Sequence, residues 1–288
     1  MAIFRSWMFV PGNNGRRIEK VKELPADVII YDLEDAVALN EKEAARKLVR
    51  EALEGYRERY NVLRVNDIGT PFFPEDVAAI VTEGLRSIML PKASGPEDIA
   101  AADSAISKWE EKRGLPVGSI EIVPLIENAL GVHFAYDIAR ASARVKRMAF
   151  GAVDYTLDIN AELSTEGTEI LFARSQMVVQ SRAAGIESPI DAVFIHIKDQ
   201  EGLRQDAKLA RQLGFQGKLV VHPDQIGIVN EVFAPTAKEI GEARKIAEAF
   251  EQAERSGNAA IQVDGKMIDY PVAARARKIL ERAQLLGL

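Results

Sequence analysis

The sequence predicts an α/β fold, a (β/α)8 barrel followed by a C-terminal helical extension, and three observations lead to it. Short β-branched apolar runs alternate with longer amphipathic segments eight times along the chain. The runs are continuously apolar, as expected of parallel strands buried on both faces. The eight units occupy about 225 residues, close to the roughly 250 residues of such barrels. A doubly wound sheet would share these features and differ only in being open, and closure is not written in the pattern.

Taken in order, the runs are "SWMFVP" (6–11), "DVIIYDLE" (27–34), "NVLRVN" (61–66), "SIMLPK" (87–92), "IEIVPLIE" (120–127), "RMAFGAVD" (147–154), "DAVFIHI" (191–197) and "KLVVHP" (218–223). Between them, segments such as "EKEAARKLVREALEGYRERY" and "GTEILFARSQMVVQSRAAG" place apolar residues three and four apart opposite a charged face, which predicts helices. No linker interrupts the chain before Val232. Beyond it, "FAPTAKEIGEARKIAEAFEQAERSGNAA" predicts a charged helix, and the last 28 residues, from "IQVDGKMIDYP" onward, predict a turn and a helix. The expected division is therefore a barrel over 1–232 and an extension over 233–288.

Composition narrows the function. A chain of 288 residues, 47% hydrophobic, can bury a large core. A net charge of −6 without a lysine-arginine block argues against a nucleic-acid surface or an anionic membrane as partner. No run reaches the roughly 18 apolar residues of a spanning helix, and "MAIFRSWMFVPGNN" lacks a signal peptide's apolar core and cleavage site. With no cysteine, disulfide and thiol chemistry are absent. The expectation is a cytoplasmic enzyme acting on a small molecule.

In such barrels the strand C-termini and the loops after them build the active site. Here the runs end in Pro11-Gly12-Asn13, in Asp32 with Glu34 and Asp35, in Arg64 with Asn66, and then in Lys92, Glu127, Asp154, His196 and His222-Pro223. Charges or imidazoles on seven of eight runs point to a convergent polar pocket, although Glu127 and Asp154 taken singly are also compatible with solvated loop acids. Two carboxylates ending neighbouring runs suit a hard cation such as Mg²⁺, which takes few protein oxygens and leaves the rest to water and substrate. Histidines only at 133, 196 and 222 and no cysteine make no zinc spacing. His133 falls in the helix after Glu127, where packing is expected. "VPGNNGRR" heads a helix but has neither dinucleotide nor P-loop spacing. Arg16, Arg17 and Lys20 beside it suit phosphates or a solvated helix equally. Arg64, in a buried run, needs a planar anionic partner, either the substrate or one of the acids of "DLED".

The motifs "RSWMFVPGN", "DLEDAV", "LRVN", "LPKA", "PLIENALGV", "FGAVDYTLDI", "VVHPDQI" and "GKMIDYP" resemble those of the HpcH/HpaI aldolase and citrate lyase β-subunit family, in its CitE-like branch, over nearly the whole chain and in the same order. The resemblance implies a Mg²⁺-dependent (β/α)8 barrel, trimeric or hexameric, that cleaves or forms a carbon–carbon bond in citryl, citramalyl or malyl thioesters. It implies Glu127 and Asp154 as metal ligands, with Glu127 also facing the substrate, and Arg64 binding substrate oxygens. Phe9, Lys20, Val221 and His222 would border coenzyme A, with Glu34, Asp35 and Lys92 in supporting roles. Asp269 would act as general acid/base from a C-terminal lid that closes on a neighbouring subunit's site. Related malyl-CoA lyases carry a basic residue where this chain has Asn14, and a long insertion after the second metal ligand where this chain is short. Alternatives are a malyl or citramalyl thioester hydrolase, an aldolase on free 2-oxo acids, and a subunit serving an acyl carrier protein.

Overall fold

The computed structural model describes residues 3–55 and 59–288; positions 56–58, at the end of the second predicted helix, lie outside the described residues. The eight runs form a closed parallel barrel in sequence order: β1 (Ser6–Pro11), β2 (Val28–Asp32), β3 (Tyr60–Arg64), β4 (Ser87–Leu90), β5 (Glu121–Ile126), β6 (Ala149–Phe150), β7 (Ile190–Asp191) and β8 (Gly217–Val220). Register along the wall places Pro11 beside Asp32 and Asp32 beside Arg64. Closure runs through the pairing of β1 with β8. The connecting helices are α1 (Gly15–Lys20), α2 (Lys42–Gly55), α3 (Phe72–Ile80), α4 (Pro96–Lys112), α5 (Ala129–His133), α6 (Ala135–Arg140), α7 (Ala152–Asp158), α8 (Leu171–Ala184) and α9 (Gln200–Leu213). They are followed by α10 (Pro223–Phe233), α11 (Ala237–Arg255), a hairpin of β9 (Ile261–Val263) and β10 (Lys266–Ile268), and α12 (Tyr270–Leu285).

Side chains alternate along each strand, and one set, Trp7, Val28, Ile30, Val62, Met89, Val123, Leu125, Ala149, Ile190 and Leu219, fills the barrel interior. The other set is buried as well, for example Ile29, Tyr31, Leu63, Ile88 and Ile122, which is why the runs carry no polar alternation. The barrel floor is closed by Arg147. Its guanidinium bonds Glu121 at 2.6 Å and Glu187 at 2.8 Å and lies over the rings of Phe4, Trp7 and Tyr60 at 5.5 to 6.0 Å. Between the wall and α8 and α9, Arg174 grips Asp191 with two bonds of 2.9 Å, and Lys218 reaches Asp191 and Asp206 at 2.5 Å. These three buried cations thus have carboxylate partners, as burial of charge requires.

Two predicted strands are shorter than expected. "RMAFGAVD" is strand only over Ala149–Phe150, and from Ala152 it is the helix α7, so Asp154 lies in a helical first turn. "DAVFIHI" pairs only through Ile190–Asp191, and His196 is exposed in the segment that follows. His133 is exposed rather than packed inward, with its ring edge-on to Phe134 at 4.6 Å.

The chain divides into two compact units, one over Phe4–Asn230 and one that includes Glu231–Leu288. Within the second, α11 begins with a capping box, Thr236 and Glu239 each satisfying the other's backbone N–H. The segment predicted as a turn is a hairpin, whose bend uses Asp264 and Gly265 at φ 49° and 77°, the left-handed pair that two-residue hairpin turns favour. Phe250, Ile268 and Ala273 form the unit's buried centre.

Candidate active site

The C-terminal ends of β1, β2, β3 and β8 surround a cleft of about 760 Å³. Its lining includes Phe9, Lys20, Asp35, Arg64, Val221 and His222, six of the residues expected at the site, whereas Glu34, Lys92, Glu127 and Asp154 are not on its wall. Arg17 joins Lys20 on the wall, so the first helix turns this part of its basic face toward the cleft. Asn14 caps α1, its Oδ1 accepting the Arg17 N–H at 3.0 Å.

Arg64 is the centre of the charge network. Its fork is bidentate to Asp32 (Nε–Oδ1 2.8 Å, Nη2–Oδ2 2.7 Å), and Nη1 lies 3.1 Å from Glu34 and 3.6 Å from Asp35. Register explains the first pair, since Asp32 and Arg64 are direct neighbours on β2 and β3. The partner of Arg64 within the chain is therefore the acid cluster of "DLED". The opposite face of the guanidinium covers the Phe9 ring at 4.9 Å. Burial by itself would lower the Arg64 pKa, but Asp32, Glu34 and Asp35 outweigh it and hold it above its ordinary value. Glu34 is held by ion pairs alone, to Arg64 and to Lys92 Nζ at 3.0 Å, with neither oxygen in a well-directed hydrogen bond. Burial pushes its carboxyl up, and Arg64 and Lys92 pull it back.

Glu127 follows β5 directly and is 3% exposed. Its Oε1 accepts the Lys92 N–H at 2.8 Å. A Cβ on Gly151 would fall 2.6 Å from Oε2, so glycine at that position is what lets the carboxylate occupy its place. The Glu127 pKa is pushed up to about 8, first by burial and then by the charges of Glu34 and Asp154. Asp154, half-buried on α7, thus acts electrostatically on Glu127. Lys92, Glu34, Glu127 and Asp154 form one electrostatically connected group. Asp269 belongs to the C-terminal unit, where its Oδ1 caps α12 by accepting the Val272 N–H at 3.2 Å.

The donor set fits a hard divalent cation. Glu127 and Asp154 carry oxygen donors, the ligand type that a hard divalent cation such as Mg²⁺ takes. A cation beside Glu127 would also offset the repulsion that raises its pKa.

The HpcH/HpaI aldolase/citrate lyase family model matches residues 5–223. The chain belongs to this family. A second model, described as a C–C bond lyase of the TIM-barrel fold, matches residues 172–288, and this member of the HpcH/HpaI family is a carbon–carbon lyase. Citrate lyase subunit beta of Leuconostoc mesenteroides subsp. cremoris is 41% identical over 97% of this chain and 93% of its own length. A (3S)-malyl-CoA thioesterase of Cereibacter sphaeroides (strain ATCC 17025 / ATH 2.4.3) is 35% identical over 99% of this chain and 96% of its own. The CitE protein of Mycobacterium tuberculosis, in complex with magnesium, acetoacetate and coenzyme A, matches with a TM-score of 0.81 at 30% identity, covering 98% of this chain and 99% of that one.

One contributor left no signal in the sequence: Gly151 acts by lacking a side chain, and only the packing of Glu127 against it shows that. Asp32 was among the acids of "DLED" open to Arg64, and register is what gives it the Nε and Nη2 side of the fork.

Proposed function

We propose that this lyase is Mg²⁺-dependent and cleaves, or forms, the bond between the carbinol carbon and the α-carbon of a β-hydroxyacyl thioester such as citramalyl-CoA, malyl-CoA or a citryl thioester, yielding an acetyl thioester and a 2-oxo acid. The observation that carries this is a cleft that joins an apolar and basic wall (Phe9, Lys20, Val221, His222) to an Arg64-centred acidic mouth. The wall suits a coenzyme A tail, and the mouth suits a hydroxy-acid head. The magnesium and coenzyme A held by the mycobacterial CitE protein support both halves.

In this reading Glu127 and Asp154 would hold Mg²⁺, which would supply Lewis acidity toward the substrate. The hydroxyl gives its proton to solvent water, the O–H electron pair becomes the second bond of the 2-oxo acid's carbonyl, and the electron pair of the broken carbon–carbon bond becomes the acetyl thioester enolate. Arg64, fixed by Asp32, presents positive charge to a substrate carboxylate or to that enolate oxygen, a preorganised contribution on the order of 3 kcal/mol for one donor. Asp269, from the C-terminal segment of a neighbouring subunit in a homotrimer or hexamer, delivers the proton to the enolate carbon, while Glu34, Asp35 and Lys92 orient the charged groups around them. The protein is cytoplasmic in this reading, and no helix among the described residues is long and apolar enough to cross a membrane.

The likeness to (3S)-malyl-CoA thioesterases favours one second reading, in which water intercepts the acyl product and free coenzyme A is released. A panel of citramalyl-CoA, malyl-CoA and carrier-linked citryl thioesters, assayed with and without Mg²⁺, separates the cases. The lyase releases 2-oxo acid with the acetyl thioester intact, and the thioesterase also releases free thiol. Turnover confined to carrier-linked substrate would assign an acyl carrier protein as partner. Turnover of free 2-oxo acids without any thioester, or turnover unchanged by chelation of Mg²⁺, would overturn the proposal.

A further inference from the structure

Among the described residues, three non-glycine positions have positive φ: Lys92 at 54°, Asn160 at 55° and Asp264 at 49°. Asparagine and aspartate reach this left-handed region readily because their short side chains bond the local backbone. Lysine has no such local compensation, and its Cβ crowds the following carbonyl. A strained backbone of this kind persists only where its surroundings over-determine it. At Lys92 they do, from three directions. The N–H donates to Glu127 Oε1 at 2.8 Å, and the carbonyl accepts from Ser94 Oγ at 2.8 Å and from Asn128 Nδ2 at 3.4 Å. The ammonium lies 3.0 Å from Glu34 Oε1.

The same strand end is stitched to β5 from the other side. Asn128 caps α5 by accepting the Gly131 N–H at 2.7 Å, and a Cβ on Gly131 would stand 2.4 Å from the Ala93 carbonyl. The turn after β4 and the start of α5 are therefore in contact with no room to slide. We propose that Lys92 is a positioning residue that clamps two carboxylates at once, its left-handed backbone aiming Glu127 and its ammonium restraining Glu34 against Arg64. This rests on the metal-holding role proposed for Glu127, because it is there that the direction of the carboxylate matters. The two ends of the clamp are separable. The backbone end depends on conformation and survives any side chain that tolerates positive φ, whereas the ammonium end depends on charge and survives only in lysine or arginine.

Three variants, Lys92→Met, Lys92→Gly and Lys92→Arg, test it through calorimetric titration with Mg²⁺ alone, steady-state turnover of (3S)-malyl-CoA, and thermal unfolding of the metal-free protein. Lys92→Met keeps length and strain, and with them the backbone end that aims Glu127, but loses the charge; it is expected to leave Mg²⁺ binding nearly unchanged and to lower kcat about 10-fold, as loss of a residue that orients a charged group does, with KM for the thioester unchanged. Lys92→Arg is expected to recover part of kcat. Lys92→Gly also lacks the charge but relieves the strain, so it should melt above Lys92→Met, and it keeps the titration possible should Lys92→Met fold poorly. If the wild type binds Mg²⁺ and Lys92→Met turns over as fast, the ammonium half is overturned while the proposed function stands, and if Lys92→Met loses Mg²⁺ binding while it stays folded, the separation of the two ends is overturned. If Lys92→Gly melts no higher than Lys92→Met, the backbone half is overturned. If the wild type itself binds no Mg²⁺, the proposed function fails and the clamp fails with it.

Discussion

At the scale of single residues, the site is governed by how closely a carboxylate can be placed and how unwelcome its charge is there. Gly151→Ala would set a methyl group 2.6 Å from Glu127 Oε2, so Glu127 must turn away. The expected outcome is a folded protein with weakened Mg²⁺ binding and kcat reduced about 100-fold, the scale on which displacement of a reacting group by about 1 Å operates; circular dichroism and calorimetry check it. The Glu127 pKa near 8 has two further consequences. Because the folded-state value lies above the unfolded one, the stabilisation is fully present below pH about 4.5 and is lost as pH rises through about 8. The metal-free protein should therefore melt progressively lower across that interval, and Glu127→Gln should flatten the slope. Mg²⁺ binding requires the ionised carboxylate, so titration at pH 7 should release close to one proton, falling toward none above pH 9. Calorimetry in buffers of different ionisation enthalpy reads this, and constant release across the range would remove Glu127 from the metal site.

At the scale of elements, Asp269 has two jobs to separate. It is the N-cap of α12, and the proposed chemistry also gives it a proton to deliver. Asparagine caps about as well as aspartate, whereas alanine costs about 1 kcal/mol. Asp269→Asn should therefore keep the wild-type melting temperature and lose turnover, while Asp269→Ala should lose both. Full turnover in Asp269→Asn would restrict this residue to capping. How much could be read in advance also varied by element. The long helices α2, α8 and α11 were legible because their apolar spacing and charged faces are set locally. The shortness of β6 and β7 was not, because "RMAFGAVD" and "DAVFIHI" have the apolar make-up of strands, yet the first turns into α7 directly after its cap at Gly151.

At the scale of the whole molecule, the acid from the C-terminal segment and the carboxylates of the mouth are proposed to meet across a subunit boundary. Asp269→Asn and Glu127→Gln, each inactive alone, should then regain part of the activity when their subunits are exchanged, since some mixed oligomers carry one site built from two intact halves. Verified exchange without recovery would place the acid and the metal ligands of each site in the same chain.

The sequence by itself determined the fold class and the order of the strands, and it marked polar strand ends of which Asp32, Asp35, Arg64 and His222 line one cleft. Those follow from local periodicity and from the rule that parallel strands aim their C-terminal ends one way. Only the tertiary structure decided which acid holds Arg64, that Gly151 makes room for Glu127, that Lys92 is bent into the left-handed region, and that Arg147, Arg174 and Lys218 are buried staples rather than surface charges. Each of these depends on register between strands or on what stands a few ångströms away in space, and residues that meet in this way, such as Lys92 and Glu127 or Tyr60 and Arg147, lie far apart along the chain.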